Sequence, residues 1–179
     1  MSTKKVEQKI ETFIEGALDN PLFKTLPIKV EDIAKSIGIK ILAYGFDDDI
    51  SGVLVINEEG ATIGYNQTES RVRKRFTIAH ELGHYVLHRE ESAVFMDKQY
   101  KALFRAPGFT YTEQSQKWEQ EANKFAACIL MPENLLNKEI EKMEFDLHSE
   151  DDIKHLAKIF DVSATSMSFR LSNLGYNFF

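Results

Sequence analysis

Residues 80–88, HELGHYVLH, place three histidines at four-residue spacing with a glutamate directly after the first. A helix rises about 1.5 Å and turns about 100° per residue, so His80 and His84 lie about 6 Å apart along the axis and about 40° apart around it. Both imidazoles can then converge on one ion. Zinc suits them because it accepts imidazole nitrogen at about 2.0–2.1 Å without an electronic preference for geometry. Glu81, offset by about 100°, is poorly placed as a ligand to the same ion but well placed to hydrogen-bond a water beside it, which is the position of a catalytic base. His88 is about 12 Å along the axis from His80, too far for one ion to bridge. The longer pattern HExxHxxGxxH is not met either, because Leu87 and Glu90 stand where its glycine and final histidine belong. A third ligand must come from elsewhere in the chain. Without one, the stretch is a helix face whose histidines pair with nearby acids.

The surroundings support a helix. From Arg71 onward, Phe76, Ala79, Leu82, Gly83 and Val86 share one broad apolar face, with the histidines on an adjacent one. Upstream, Val6, Ile10, Phe13, Ile14, Ala17 and Leu18 predict an amphipathic helix over 4–18, and Val30, Ile33, Ala34 and Ile37 a short second one. Gly38 stands where a left-handed helix cap needs a residue without Cβ. The residues 39–44, 52–56 and 61–65 read as three strands of a small antiparallel sheet, the last two joined by the turn-like Asn57-Glu-Glu-Gly60. Residues 90–114 lack a clear period and read as a loop with one helical turn that could roof a cleft. Downstream, Trp118, Ala122, Phe125, Ala126 and Ile129 mark a helix ended by Met131-Pro132, and two more helices follow near 151–160 and 163–174.

The helix WEQEANKFAACILMP, residues 118–132, is the best source of the missing ligand. Glu119 and Glu121 each lie about 80° from the centre of its apolar face, so amphipathicity does not choose between them.

The 179 residues suit one domain, and 43% hydrophobic with 28% charged residues is a composition that folds. A net charge of −6 disfavours general nucleic-acid binding, which draws its affinity from lysine and arginine. The single cysteine, Cys128, has no intramolecular partner, no signal-peptide core opens the chain, and no run of about 18 apolar residues occurs, so a cytoplasmic location is expected.

Taken together, RKRFTIAHELGHYVLH and EQEANKFAACILMP resemble the ImmA/IrrE family of zinc metallopeptidases. The resemblance extends over roughly residues 25–176 and leaves the first twenty or so outside. With the first helix included, the expectation is an α+β, zincin-like single metallopeptidase domain over residues 1–179, with a small antiparallel sheet packed with the HExxH helix and several further helices. The resemblance implies Zn2+ on His80, His84 and Glu121, breaking the tie with Glu119, and Glu81 as general base. It also implies a protein substrate, an XRE-type helix-turn-helix repressor, whose cleavage relieves repression in a phage, mobile-element or stress response. The competing class is a regulatory or toxin-like protein of the same fold that docks a repressor or antitoxin with little proteolysis.

Several other features carry two readings. Arg71, Arg73, Lys74 and Arg75 crowd the start of the histidine helix against its dipole, which suggests either pairing with Glu69 or Asp47 to Asp49, or contact with an acidic substrate or nucleic acid. The residues 150–176 suggest a helix-turn-helix with Ser163 as N-cap, yet its second helix holds only Arg170, which favours a structural or substrate-recognising pair over a duplex reader. Cys128 reads as a buried thiol, and His148 and His155 as surface residues. Tyr85, Tyr100 and Tyr111 are candidate donors to an oxyanion.

Overall fold

A computed structural model describes residues 3–20, 24–46, 50–98, 112–146 and 148–176. Among these, the chain forms α1 (Thr3–Asp19), α2 (Val30–Ser36), β1 (Lys40–Tyr44), β2 (Ile50–Asn57), β3 (Gly60–Asn66), α3 (Arg71–His88), β4 (Val94–Lys98), α4 (Glu113–Leu130), α5 (Glu133–Ile140), α6 (Glu150–Phe160) and α7 (Ala164–Asn173). The α+β architecture matches the sequence reading, with three differences. The sheet is mixed, the segment after α3 opens with a strand, and Glu133–Ile140 adds a helix that periodicity did not mark.

The strand order is β1-β3-β2-β4. β2 pairs antiparallel with both β3 and β4, whereas β1 lies parallel along the far side of β3. The parallel pairing follows from chain length. β1 and β2 are separated by only residues 45–49 and must run in opposite directions, but β3 inserts between them. Neighbouring strands sit about 4.8 Å apart, so the link has to span about 10 Å, within the reach of five extended residues at about 3.3 Å each. β4 forms the other edge, with Val94 and Met96 turned outward and Phe95 buried. The roofing loop anticipated over 90–114 lies, for residues 99–111, outside the described residues.

Local signals operate as the sequence suggests. Gly38 and Gly60 adopt positive φ of 86° and 120°, one after α2 and one at the β2–β3 turn. Side-chain caps start four helices. Ser70, Thr112, Ser149 and Ser163 accept from the backbone N–H of Arg73, Ser115, Asp152 and Ser166. Three arginines at the start of α3 are held by acids distant in sequence, while Asp47 to Asp49, anticipated as partners, lie outside the described residues. Arg71 Nε and Arg75 Nε lie 2.8 Å and 3.1 Å from Asp161 Oδ2, and Arg75 also donates to the carbonyls of Asp161 and Phe160 at the end of α6. Arg73 bridges Asp97 and Ser51 at 3.0 Å each. These contacts tie α3 to α6 and to β4.

Arg170 of α7 is turned into the fold. Its side chain is buried, Nε donates to the Met131 carbonyl at 3.1 Å, and Nη1 reaches Cys128 Sγ at 3.4 Å. It thereby caps the end of α4. Cys128 sits against it with its thiol pKa pushed up by burial, and His148 and His155 are exposed. The first helix is joined to the rest. Val6, Ile10 and Leu18 are buried, and Phe13 packs on Phe125 with ring centroids 5.4 Å apart. No helix among the described residues is long and apolar enough to cross a membrane.

α3 forms the centre, between the sheet on one side and α1, α2 and α4 on others. From Thr77 to Gly83, residue after residue of it is buried, polar ones included. The close approach to α4 depends on Gly83. A Cβ there would stand 3.1 Å from Phe125 Cβ and 3.2 Å from the Ala122 Cα. Gly83→Val is therefore expected to lower unfolding stability by about 1–3 kcal/mol through overpacking. Chemical denaturation checks this, and parent-like stability would show that the two helices are not in tight contact.

Candidate metal centre

α3 directs its polar residues to two different neighbours. His80, His84 and His88 run along the side facing α4, while Glu81, about 100° round the helix, faces the sheet. His80 Nε2 and His84 Nε2 approach within 3.1 Å. The Glu119 carboxylate meets both, Oε2 lying 3.2 Å from His80 Nε2 and Oε1 3.4 Å from His84 Nε2. Among the described residues, these three form the group of histidine, cysteine and acidic side chains able to share one ion, their donor atoms all within 4.8 Å of one another.

The third position therefore differs from the one the resemblance implied. Glu121 does not reach His80 or His84 in the cluster; its Oε2 lies 2.9 Å from His88 Nε2. The cause is helical phase. Two residues turn α4 by about 200°, so Glu119 and Glu121 cannot face the same point. Four residues turn it by about 400°, which returns Asn123 to the side of Glu119. Asn123 Oδ1 accordingly lies 3.0 Å from His80 Nδ1.

The donors fit a divalent metal. Two ligands about 2.05 Å from a tetrahedral ion are about 3.3 Å apart, and the separations here run from 3.1 to 3.4 Å. Two imidazoles and one carboxylate make a recognised zinc set that leaves a coordination position open. Asn123 adds the outer hydrogen bond that fixes His80 with Nε2 free to ligate.

Glu81 is wholly buried, and among the described residues neither of its carboxylate oxygens has a hydrogen-bond partner of good geometry; the Thr77 hydroxyl one turn earlier is likewise unsatisfied there. Room for Glu81 comes from Gly52 on β2, where a Cβ would stand 3.3 Å from Glu81 Oε1 and would collide with Thr77 Cγ2. Burial pushes the Glu81 carboxyl up to about 8, with Asp97 and Glu119 adding to the rise and His80 opposing it. Burial also raises Asp97, against the pull of His80 and Arg73. His80 is drawn down by burial but lifted further by its hydrogen bond to Glu119 and the charges of Glu81 and Asp97, reaching about 9. Burial lowers His84 to about 4. Glu119, despite burial, is held at about 2 by the two histidines.

Phe95 of β4 closes the cluster, stacking on His84 with centroids 4.5 Å apart and planes at 19°. Of the tyrosines considered as oxyanion donors, Tyr85 is half-buried on α3 with the Arg89 guanidinium 5.2 Å from its ring, and Tyr100 and Tyr111 lie outside the described residues.

A pH dependence follows from these values. Below about 9 the metal-free cluster keeps a proton on His80, and a ligating imidazole must give it up. Metal uptake at neutral pH should release protons, and apparent affinity should rise with pH toward 9 and fall in acid. Calorimetry in buffers of differing protonation enthalpy measures the release. Uptake at pH 7 without proton release would contradict the arrangement.

Comparison with known proteins places the fold and the family. No curated protein sequence matches the chain. Among solved structures, a Mycobacterium tuberculosis transcriptional regulator shares the fold, with a TM-score of 0.56 at 17% identity over 96% of this chain and 47% of that one. This chain thus spans about half the length of that regulator. The family model of the IrrE N-terminal-like domain, Peptidase_M78, matches residues 34–172, a stretch that contains His80, Glu81, His84, Glu119 and Glu121. With most of its length under that match, the chain belongs to the IrrE N-terminal-like peptidase family.

Proposed function

We propose that the protein is a zinc-dependent endopeptidase in which His80, His84 and Glu119 hold the metal and Glu81 is the catalytic base. The observation that carries this reading is the convergence of two imidazoles and one carboxylate at ligand spacing, beside a buried carboxylate whose oxygens find no hydrogen-bond partner of good geometry among the described residues. A structural salt-bridge cluster accounts for the first feature but not the second. A buried polar group left unpaired costs about 1–3 kcal/mol, a burden that makes sense where a reacting water is to be met.

Zinc bound there supplies Lewis-acid polarisation of the scissile carbonyl and acidifies water at neutral pH. The chain's own residues do the rest. Glu81 accepts the proton of the attacking water on its carboxylate and delivers it to the nitrogen of the leaving amine as the peptide bond breaks. Its elevated pKa in the metal-free protein, about 8, suits a group that must both take and return a proton; a neighbouring dication offsets part of that rise. Gly52 leaves the space in which the carboxylate can reorient. Phe95 keeps the His84 ring in place and shields it from water. β4, an edge of the sheet among the described residues, offers main chain along which an extended peptide can lie.

The substrate class is a helix-turn-helix repressor in the cytoplasm, as the resemblance over the HExxH and Glu-Ala-Asn stretches implies. The inward-turned Arg170 supports a protein partner over a duplex for the α6–α7 pair. Incubation of the zinc-loaded protein with the repressor encoded beside it, followed by mass analysis, tests the reaction. Glu81→Gln should keep its zinc while cleavage falls about 10²- to 10⁴-fold, the usual share of a general base. If Glu81→Gln inactivates the repressor as well as the parent does, the protein acts by docking, and hydrolysis is not its mechanism.

A further inference from the structure

We infer that His88 and Glu121 form an outer positioning pair for His84, fixing which of its ring nitrogens is free to ligate. The inference rests on the reading that His84 holds zinc.

The direction of each hydrogen bond can be worked out from the outer end. Glu121 Oε2 lies 2.9 Å from His88 Nε2. An ionised carboxylate only accepts, so Nε2 of His88 carries the hydrogen. His88 Nδ1 in turn lies 3.2 Å from His84 Nδ1. One of these two nitrogens must donate and the other accept. If His88 donated, His84 would keep its hydrogen on Nε2, the atom that faces His80 at 3.1 Å and Glu119 at 3.4 Å, and could not ligate there. With Glu121 claiming the Nε2 hydrogen, a neutral His88 presents a lone pair at Nδ1. His84 then donates from Nδ1 and turns its Nε2 lone pair toward the cluster.

The packing holds this chain in register. His84 and His88 are 1% and 2% exposed on their side chains. Phe95 stacks on His84, and the Trp118 ring lies 5.7 Å from His88. Lys117, one turn before Glu121, places its ammonium 3.9 Å from Oε1. The two ligands are thus oriented by different means, His80 by the Asn123 amide and His84 through a second imidazole and a carboxylate. A ligand's outer hydrogen bond typically contributes a factor of about 10–100 in metal affinity.

The test uses the full chain loaded with zinc, with chelator competition for affinity and long-range 1H–15N spectra for the imidazole tautomers. The expected parent spectrum shows His84 protonated at Nδ1 and His88 at Nε2. Glu121→Ala and His88→Phe should each weaken zinc binding about 10- to 100-fold. Glu121→Gln, whose carbonyl oxygen can accept the same hydrogen, should stay within about threefold of the parent. Parent-like affinity in Glu121→Ala would overturn the inference, even if that variant were less stable, because a purely structural pair would behave so. Should Glu121→Ala fail to fold, the parent spectrum decides, and a hydrogen on His84 Nε2 overturns it. Glu119→Gln separates this inference from the reading beneath it. Loss of zinc there beside an unaffected Glu121→Ala removes only the positioning pair, whereas undiminished zinc binding in Glu119→Gln removes the metal assignment itself.

Discussion

Gly83 lets the backbones of α3 and α4 approach until Phe125 Cβ and Ala122 Cα would stand 3.1 and 3.2 Å from a Cβ that is not there. At that separation short side chains suffice to join the two helices. His80 and His84 reach Glu119, His80 reaches Asn123, and His88 reaches Glu121, all between 2.9 and 3.4 Å. A wider gap would break every one of these contacts at once. Gly52 has the corresponding role on the opposite side of α3, where it admits Glu81 and Thr77 against the sheet. Two glycines, one per neighbour, thereby set the depth at which the polar residues of one helix are buried.

That burial is costly, and the charge distribution shows how the cost is contained. His80 and Glu119 neutralise each other, which drives one pKa up to about 9 and the other down to about 2. Asp97, raised by its own burial, is held by Arg73, which also ties β4 to the start of α3. Glu81 is offset mainly by the charge of His80, and its pKa stays raised by burial all the same. The run of arginines that opposes the α3 dipole is likewise balanced, since Arg71 and Arg75 share Asp161, and Arg75 fills carbonyls at the end of α6. Charges that look superfluous along the chain are consumed in fixing α3 to its surroundings.

Much of this was legible in the sequence wherever the information was local. The HExxH spacing predicted that His80 and His84 converge on one point, which they do, and Ser163 and Gly38 marked a helix start and a helix end. Information that depends on which elements meet was not. β4 has only five residues with an exposed face as apolar as its buried one, so its alternation was invisible. The place of β1 beyond β3 reflects an insertion that no pattern in β1 itself records. The choice between Glu119 and Glu121 was undecided by amphipathicity because both flank the apolar stripe equally. The resemblance then favoured Glu121, which the structure pairs with His88. A usable signal was nevertheless present. Glu119 and Asn123 stand four apart, as His80 and His84 do, so the two pairs can face each other across the helix contact. The arginine partners lay beyond sequence reasoning, with Asp161 some 86 to 90 residues from Arg75 and Arg71.

The most direct measurement is a crystal structure of the zinc-loaded protein with anomalous scattering recorded across the zinc edge. The account predicts one strong peak about 2.0–2.2 Å from His80 Nε2, His84 Nε2 and a Glu119 oxygen, with Glu81 close by but not bound and His88 between His84 and Glu121. A peak coordinated by Glu121 or by His88, or no ordered zinc between α3 and α4, would contradict it.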